Sequence, residues 1–171
     1  DATVRRGWPN QLAISVVERT PVALARIDSE IYLVDVDGFI LPVDALTNTN
    51  FPILDGLVAL DEERSVDANA YKISIYQETL EVLGESQLSE VHVSDAGDVS
   101  VVPVDDAVVV DLGMVEHRIR WEKYLSLKKL IREDYPTTRR IDLRFRGQVI
   151  IQTEENEPED RIIWAEETKL L

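Results

Sequence analysis

The sequence predicts an α+β protein in which a mainly antiparallel sheet packs against two helices and ends in an open C-terminal edge strand. Short apolar segments with a two-residue period recur along the chain, as expected of half-buried strands. Turn dipeptides such as Asp37-Gly38 separate several of these segments and favour hairpins. Two longer segments carry apolar residues at three- and four-residue spacing, which is typical of amphipathic helices.

The strand predictions come from alternation, valine-rich segments and flanking turn residues. In chain order they are residues 3–6, 12–17, 22–26, 31–42 as a hairpin, 51–56, 91–93, 99–102 and 107–112. The turn cluster at 7–10 joins the first two strands into a hairpin. The valine-rich strand at 107–112 is expected to be central in the sheet.

Two helices are predicted, at residues 68–83 and 116–133. Asp67 is the expected N-cap of the first helix and Gly84 its end. The second helix ends before Pro136, because proline disfavours a helical conformation in the preceding residue.

The strand at residues 140–152 organises the predicted sheet. Its apolar residues fall at odd positions: Ile141, Leu143, Phe145, Val149 and Ile151. No long strand pattern follows, so its outer edge is expected to be open, and an open edge is a template for another strand. Residues 153–160 are acidic and are predicted to form a linker. Residues 161–171 are apolar enough to pair as a strand or to pack, including against this edge.

Composition excludes several functions. The net charge is −15, from 18 basic and 33 acidic residues, which argues against binding to nucleic acid or to an anionic membrane surface. Cysteine is absent, so disulfides and thiolate metal sites are excluded. No apolar segment reaches the roughly 18 residues needed to span a bilayer. The chain begins without Met and in mid-pattern, so we expect a fragment or processed chain whose targeting segment lies upstream.

Positive charge is concentrated between residues 117 and 146. This segment contains ten Lys and Arg residues and four acidic residues, so its net charge is +6 and the remainder of the chain carries −21. Charge alone favours a solvated face that balances its neighbours. The alternative is a binding site for an acidic partner segment.

No catalytic or cofactor motif is recognised. His92 and His117 lack a nearby nucleophile motif, and the seven glycines are scattered through turns and form no phosphate loop. Asp35 and Asp37 are assigned to a turn, because Phe39 and Leu46 occupy places where a calcium loop needs oxygen ligands. A carboxylate-dependent hydrolase is the alternative from another class, and a cleft with two facing carboxylates of raised pKa would favour it.

Residues 4–23, VRRGWPNQLAISVVERTPVA, resemble the end of the POTRA domain in the bacterial cell-division family FtsQ/DivIB. The segments YLVD at 32–35, FPILDG at 51–56 and IDLR at 141–144 follow in the order of that family. The resemblance covers about residues 4–152. It implies three parts: residues 1–26 as the end of a POTRA domain, 27–152 as a β domain, and 153–171 as an acidic linker and tail.

The resemblance also implies a function. Members of this family are single-pass inner-membrane proteins without catalytic activity or cofactor, anchored by a helix upstream of these domains. The present part would lie on the periplasmic side at the septum and bind FtsB, FtsL and other divisome proteins. The alternative among binding proteins is a POTRA-type module for outer-membrane protein assembly, which tandem repeats upstream would favour.

The family resemblance implies a partner-binding strand near the C-terminus, where FtsB is received by strand addition. Arg144 and Phe145 match the Leu-Arg-aromatic positions of the family, so Arg144 is expected to meet a partner carboxylate and Phe145 to anchor packing. The expected edge is formed by Gly147, Gln148, Val149, Ile150 and Ile151. This chain lacks the tryptophan that follows the glycine in some members, and its aromatic residue carries no hydroxyl.

Overall fold

A computed structural model describes residues 2–41, 43, 50–58, 63–154 and 161–164. The elements are β1 (Ala2–Gly7), β2 (Gln11–Val16), β3 (Pro21–Ile27), β4 (Glu30–Asp35), β5 (Ile40–Leu41), β6 (Ile53–Asp55), α1 (Glu63–Leu83), β7 (Leu88–Val93), β8 (Val99–Pro103), β9 (Val109–Gly113), α2 (His117–Asp134), β10 (Thr138–Asp142), β11 (Gln148–Thr153) and β12 (Arg161–Trp164). This mixture of one large sheet and two helices confirms the predicted α+β class.

The strands of the described residues form two sheets. The first is the β1–β2 hairpin, paired antiparallel from Ala2↔Val16 to Gly7↔Gln11. The second has ten strands in the order β12-β11-β10-β9-β8-β7-β6-β3-β4-β5. Since β3 pairs with β4 and β6, the break between the sheets lies between Val16 and Pro21.

Two β-α-β units explain where the helices sit. The pairs β6–β7 and β9–β10 are parallel, and parallel neighbours need a crossover connection, which is usually a helix. Helix α1 makes the first crossover and α2 the second. The helices and strands share one buried cluster, whose largest fully buried side chains include Tyr76 and Tyr124. The Tyr76 hydroxyl donates to the Pro52 carbonyl at 2.7 Å, which satisfies its buried polar atom.

The turn at Asp35 has the local role expected from the sequence. Its Oδ1 accepts hydrogen bonds from the backbone N–H of Asp37 at 3.1 Å and of Phe39 at 2.9 Å. Gly38 has a φ of 88°, and a Cβ there would lie 2.5 Å from the Val66 carbonyl oxygen, so the turn requires glycine. Leu46, another position in the calcium-loop argument, lies outside the described residues.

The predicted strand at 140–152 is two strands, which corrects the sequence interpretation. Strands β10 and β11 form a hairpin around residues 143–147. Ile141 and Ile151 are cross-strand partners, and partners across an antiparallel pair point to the same face. Ile141, Val149 and Ile151 all face the core, so the two-residue period continues across the turn and conceals it.

Helix α1 also begins earlier than predicted. It starts at Glu63, so Asp67 lies inside the helix and does not cap it. The other predictions agree closely: α2 runs from His117 to Asp134, and the hairpins β4–β5 and β7–β8 are present. Strand β9 lies between β8 and β10, which confirms its central position.

The C-terminal sheet margin as candidate functional site

The candidate site is the C-terminal sheet margin, defined as strands β10, β11 and β12 with the turn at 143–147. Strand β11 pairs on one side with β10 and on the other with β12. The β12 pairing runs antiparallel from Gln148↔Trp164 to Ile151↔Arg161. Among the described residues the outermost strand is therefore β12, whereas the sequence predicted residues 140–152 as the open edge strand, with residues 147–151 as the binding edge.

The occupied edge agrees with the apolar character of residues 161–171. Ile162 and Ile163 are β-branched residues, which favour a strand where a neighbouring edge is available. Residues 161–164 take that edge. The remainder of the predicted tail, 165–171, and most of the predicted linker, 155–160, lie outside the described residues.

The predicted edge residues divide between two faces of β11. Val149 is 1% exposed and Ile151 is fully buried, so both side chains pack in the core and only their backbone can serve a partner. Gln148 and Ile150 are half-buried on the opposite face. Among the predicted edge residues of β11, side-chain recognition therefore belongs to Gln148 and Ile150, since successive residues alternate between faces.

Arg144 is held by a neighbouring carboxylate in the turn. Its Nη2 donates to Asp142 Oδ2 at 2.7 Å, and its Nε donates to Asp142 Oδ1 at 3.0 Å. The Arg144 backbone N–H also donates to Asp142 Oδ1, at 2.9 Å. Burial by itself raises the pKa of the Asp142 carboxyl, but the hydrogen bonds from Arg144 outweigh burial and hold that pKa below its ordinary value.

This pairing was not predicted from the sequence. Asp142 lies two residues before Arg144, and an aspartate at that spacing often accepts from the backbone N–H two residues later in a turn. The Asp-Leu-Arg spacing was the available signal. It was concealed because the same residues also fit a continuous alternating strand.

Phe145 and Gly147 lie in the turn itself. Phe145 is 50% exposed, as an anchor for a partner would require. Gly147 has a φ of 72°, in the left-handed region, and a Cβ there would meet no atom within 4 Å. Glycine is therefore favoured at 147 by its backbone conformation and not by close packing.

Helix α2 supports the margin from the core side. Lys123 Nζ donates to the Gln148 carbonyl at 3.3 Å, which ties the helix to the start of β11. Burial lowers the pKa of Lys123. In the sequence, Lys123 is only one cation of the basic segment, because its contact with β11 depends on helix packing.

The basic segment is extensively paired within the molecule. Arg140 makes two hydrogen bonds to Asp111, at 2.6 and 2.7 Å. The other pairs with acids outside the segment are Lys128 with Asp105, Arg132 with Asp106, Arg139 with Glu154, and Arg120 and Arg146 with Glu116. These contacts favour the interpretation of a balanced surface over that of a free site for acids.

A pocket lined by strands β6 to β10 contains the carboxylates that most resemble a catalytic site. Asp55 and Glu90 line a pocket of about 280 Å³, and Arg26 reaches both, at 3.8 and 2.7 Å. His92 lies 3.9 Å from Asp55, and its cross-strand partner Ser100 donates to Asp111 at 2.6 Å. The serine hydroxyl is therefore bonded to a carboxylate and not to the histidine that a nucleophilic triad needs.

These observations define a class of protein. It is an α+β module with two β-α-β units in one mixed sheet and a strand margin at its C-terminal end. Across the described ranges, no group of His, Asp and Glu residues is placed to hold a metal ion. No helix in the described part of the chain is long and apolar enough to cross a membrane.

The particular family follows from comparison with known proteins. Residues 23–144 match the model of the C-terminal domain of the cell division protein FtsQ/DivIB, so the chain belongs to the FtsQ/DivIB family of cell division proteins. Its relatives include the cell division protein FtsQ of Koribacter versatilis, 34% identical over 88% of this chain and 45% of the relative.

Two further relatives carry the same description. The cell division protein FtsQ of Salinibacter ruber is 30% identical over 90% of this chain and 64% of its own length. That of Allochromatium vinosum is 31% identical over 84% of this chain and 54% of its own length. The chain thus spans about half the length of the curated relatives that it matches, and the resemblance found in the sequence is confirmed.

Proposed function

We propose that this chain is the extracytoplasmic part of a divisome scaffold that binds FtsB and FtsL by β-strand addition at the C-terminal sheet margin during septum formation. The observation that carries the proposal is the pairing of β12 with β11. It supports the proposal because the outer edge of β11 accepts an antiparallel strand. Strand addition uses the same main-chain groups and takes its specificity from alternating side chains.

The proposed interface combines this edge with the neighbouring turn. Gln148 and Ile150 supply the accessible face of β11, and Phe145 supplies a half-exposed aromatic anchor. Arg144 lies in that turn, its side chain is 45% exposed, and the stem of the side chain lies close to Gly113 at the end of β9. If the partner strand carries a carboxylate near its end, that carboxylate would bind Arg144. Arg144 would then give up part of its hydrogen bonding to Asp142.

The domain organisation and location are part of this proposal. Strands β1 and β2 would be the closing strands of a POTRA domain, because the face of the hairpin that carries Val4, Leu12, Ile14 and Val16 is uncovered; these side chains are 60–64% exposed. The family is membrane-anchored, so an upstream helix would hold the chain in the inner membrane with these domains in the periplasm. The role is that of a scaffold without catalysis.

Backbone methylation of the partner tests strand addition without altering this chain. N-methyl groups are placed at alternate residues of a fluorescein-labelled FtsB peptide, in two complementary series. Successive N–H groups of a strand point to opposite edges, so one series should lose at least about tenfold in affinity while the other binds normally. Fluorescence anisotropy measures both. Equal binding by the two series would exclude strand addition as the binding mode.

A further inference from the structure

We propose that β12 is a self-strand, a segment of this chain that occupies the outer edge of β11 and has to leave before a partner strand can pair there. The inference rests on the proposed function, because it concerns regulation of the same edge. In this arrangement β12 is an intramolecular competitor, and it lowers the apparent affinity of the chain for its partner.

The first step of the argument is that the edge has room for one strand. Each edge of a strand has a single row of N–H and C=O groups, and the two edges of β11 are used by β10 and β12. A partner that pairs with the outer edge of β11 therefore takes the same groups that β12 uses. The two pairings exclude each other.

The second step is that β12 is short enough to be displaced. Its four residues pair with Gln148–Ile151, the first four of the six residues of β11. A partner strand that runs the length of β11 could form a longer ladder than β12 does. Core packing does not depend on the exchange, because Val149 and Ile151 are buried beneath the sheet by the helices and neighbouring strands.

The third step is that attachment to the same chain makes this weak pairing effective. Six residues separate the end of the described β11 segment at Glu154 from the start of β12 at Arg161. A linker of that length gives an effective concentration on the order of millimolar. The apparent dissociation constant of a partner is then its intrinsic value divided by the fraction of molecules in which β12 is detached.

A reversible cross-link between the two strands tests the exchange. Ile150 and Ile162 are cross-strand partners, and the chain contains no cysteine, so the double variant Ile150→Cys/Ile162→Cys has one possible disulfide. Oxidation should weaken binding of the FtsB peptide at least about tenfold, and reduction should restore it. Ile150→Ser/Ile162→Ser is the matched control and should not respond to redox conditions.

The opposite result has a clear meaning. If the oxidised Ile150→Cys/Ile162→Cys variant binds the peptide as tightly as the reduced one, the partner adds to the outer edge of β12 or binds elsewhere. The self-strand proposal is then wrong, and the two N-methylated peptide series decide separately whether the partner binds by strand addition. Loss of binding to every variant, including the unmodified chain, would instead contradict the proposed function.

A truncation after Glu154 tests the self-strand without relying on the cross-link. We expect several-fold tighter binding of the FtsB peptide, because the competitor is removed. Without any partner, amide hydrogen exchange should become faster at those residues of 148–151 whose N–H groups face β12, since their hydrogen bonds are lost. Unchanged exchange, or weaker peptide binding, would overturn the inference. Circular dichroism confirms that the truncated chain remains folded.

Discussion

Asp142 and Arg144 show how one turn can position a candidate binding group. The carboxylate of Asp142 accepts from both the guanidinium and the backbone N–H of Arg144, so the side chain and the turn are oriented together. The pair therefore restricts where the Arg144 charge can be presented to a partner. Charges at the rim of an interface act mainly on the rate of association.

Replacing Arg144 tests its role in partner capture. We expect Arg144→Glu to slow association with an acidic FtsB segment about tenfold and to reduce the salt dependence of the rate. Arg146→Glu is the matched control, because it makes the same charge change at a side chain that is 93% exposed. Stopped-flow fluorescence at several ionic strengths gives the rates. An unchanged rate for Arg144→Glu would exclude a direct role in capture.

The lowered pKa of Asp142 predicts that the stability of the fold depends on pH. Burial raises its pKa, but hydrogen bonds from Arg144 lower it more, so the folded-state pKa lies below the ordinary value of 3.8. A lowered folded pKa means that the carboxylate stabilises the fold above pH 3.8, and that this contribution is lost as the pH falls through the folded pKa.

The variant Asp142→Asn checks this pH dependence. At pH 7 we expect it to lower the free energy of unfolding by about 1–2 kcal/mol, since it removes a charge-assisted pair from a buried group. The difference from the unmodified chain should shrink below pH 3.8. Urea unfolding at pH 7, 4 and 3 measures it. A difference that stays constant over this range would show that ionisation of Asp142 does not contribute.

At the scale of elements, the β10–β11 hairpin was the main error of sequence interpretation. The alternation of apolar residues was correctly identified, and Val149 and Ile151 are buried as it predicts. The turn was missed because cross-strand partners Ile141 and Ile151 have the same parity, so a hairpin and a long strand give the same pattern. Gly147 was the local signal of a turn.

A pair of glycine substitutions tests the two hairpin turns. Gly147→Ala should cost about 1–2 kcal/mol, because φ is positive but the added Cβ meets nothing. Gly38→Ala should cost more, because its Cβ would lie 2.5 Å from the Val66 carbonyl oxygen in addition to the positive φ. Chemical unfolding of both variants gives the comparison. Equal losses of stability would contradict the close approach at Gly38.

At the scale of the whole molecule, the β1–β2 hairpin contributes nothing to the large core. The buried cluster begins at Ala23, and the hairpin forms its own two-stranded sheet. Its exposed apolar side chains agree with the proposal that further chain covers them in the full-length protein. Folding of the ten-stranded sheet should therefore be independent of residues 1–17.

Deletion of residues 1–17 tests that independence. We expect the thermal midpoint to change by less than about 4 °C, the effect of roughly 1 kcal/mol in a domain of this size. Deletion of residues 1–20 is the matched comparison, because it also removes Arg19, which pairs with Asp35 and stacks 3.7 Å from the Phe39 ring centroid. Differential scanning calorimetry should find this second chain less stable. A large fall in the thermal midpoint after deletion of residues 1–17 would show that the hairpin stabilises the sheet.

The sequence by itself determined the class of fold, the identity of most elements and the family, because periodicity, turn residues and linear motifs are local properties of the chain. Only the tertiary structure decided that residues 138–153 form a hairpin, that Asp142 holds Arg144, and that β12 occupies the edge of β11. Strand pairing depends on which edges the completed sheet leaves available. That condition is set by residues distant in sequence.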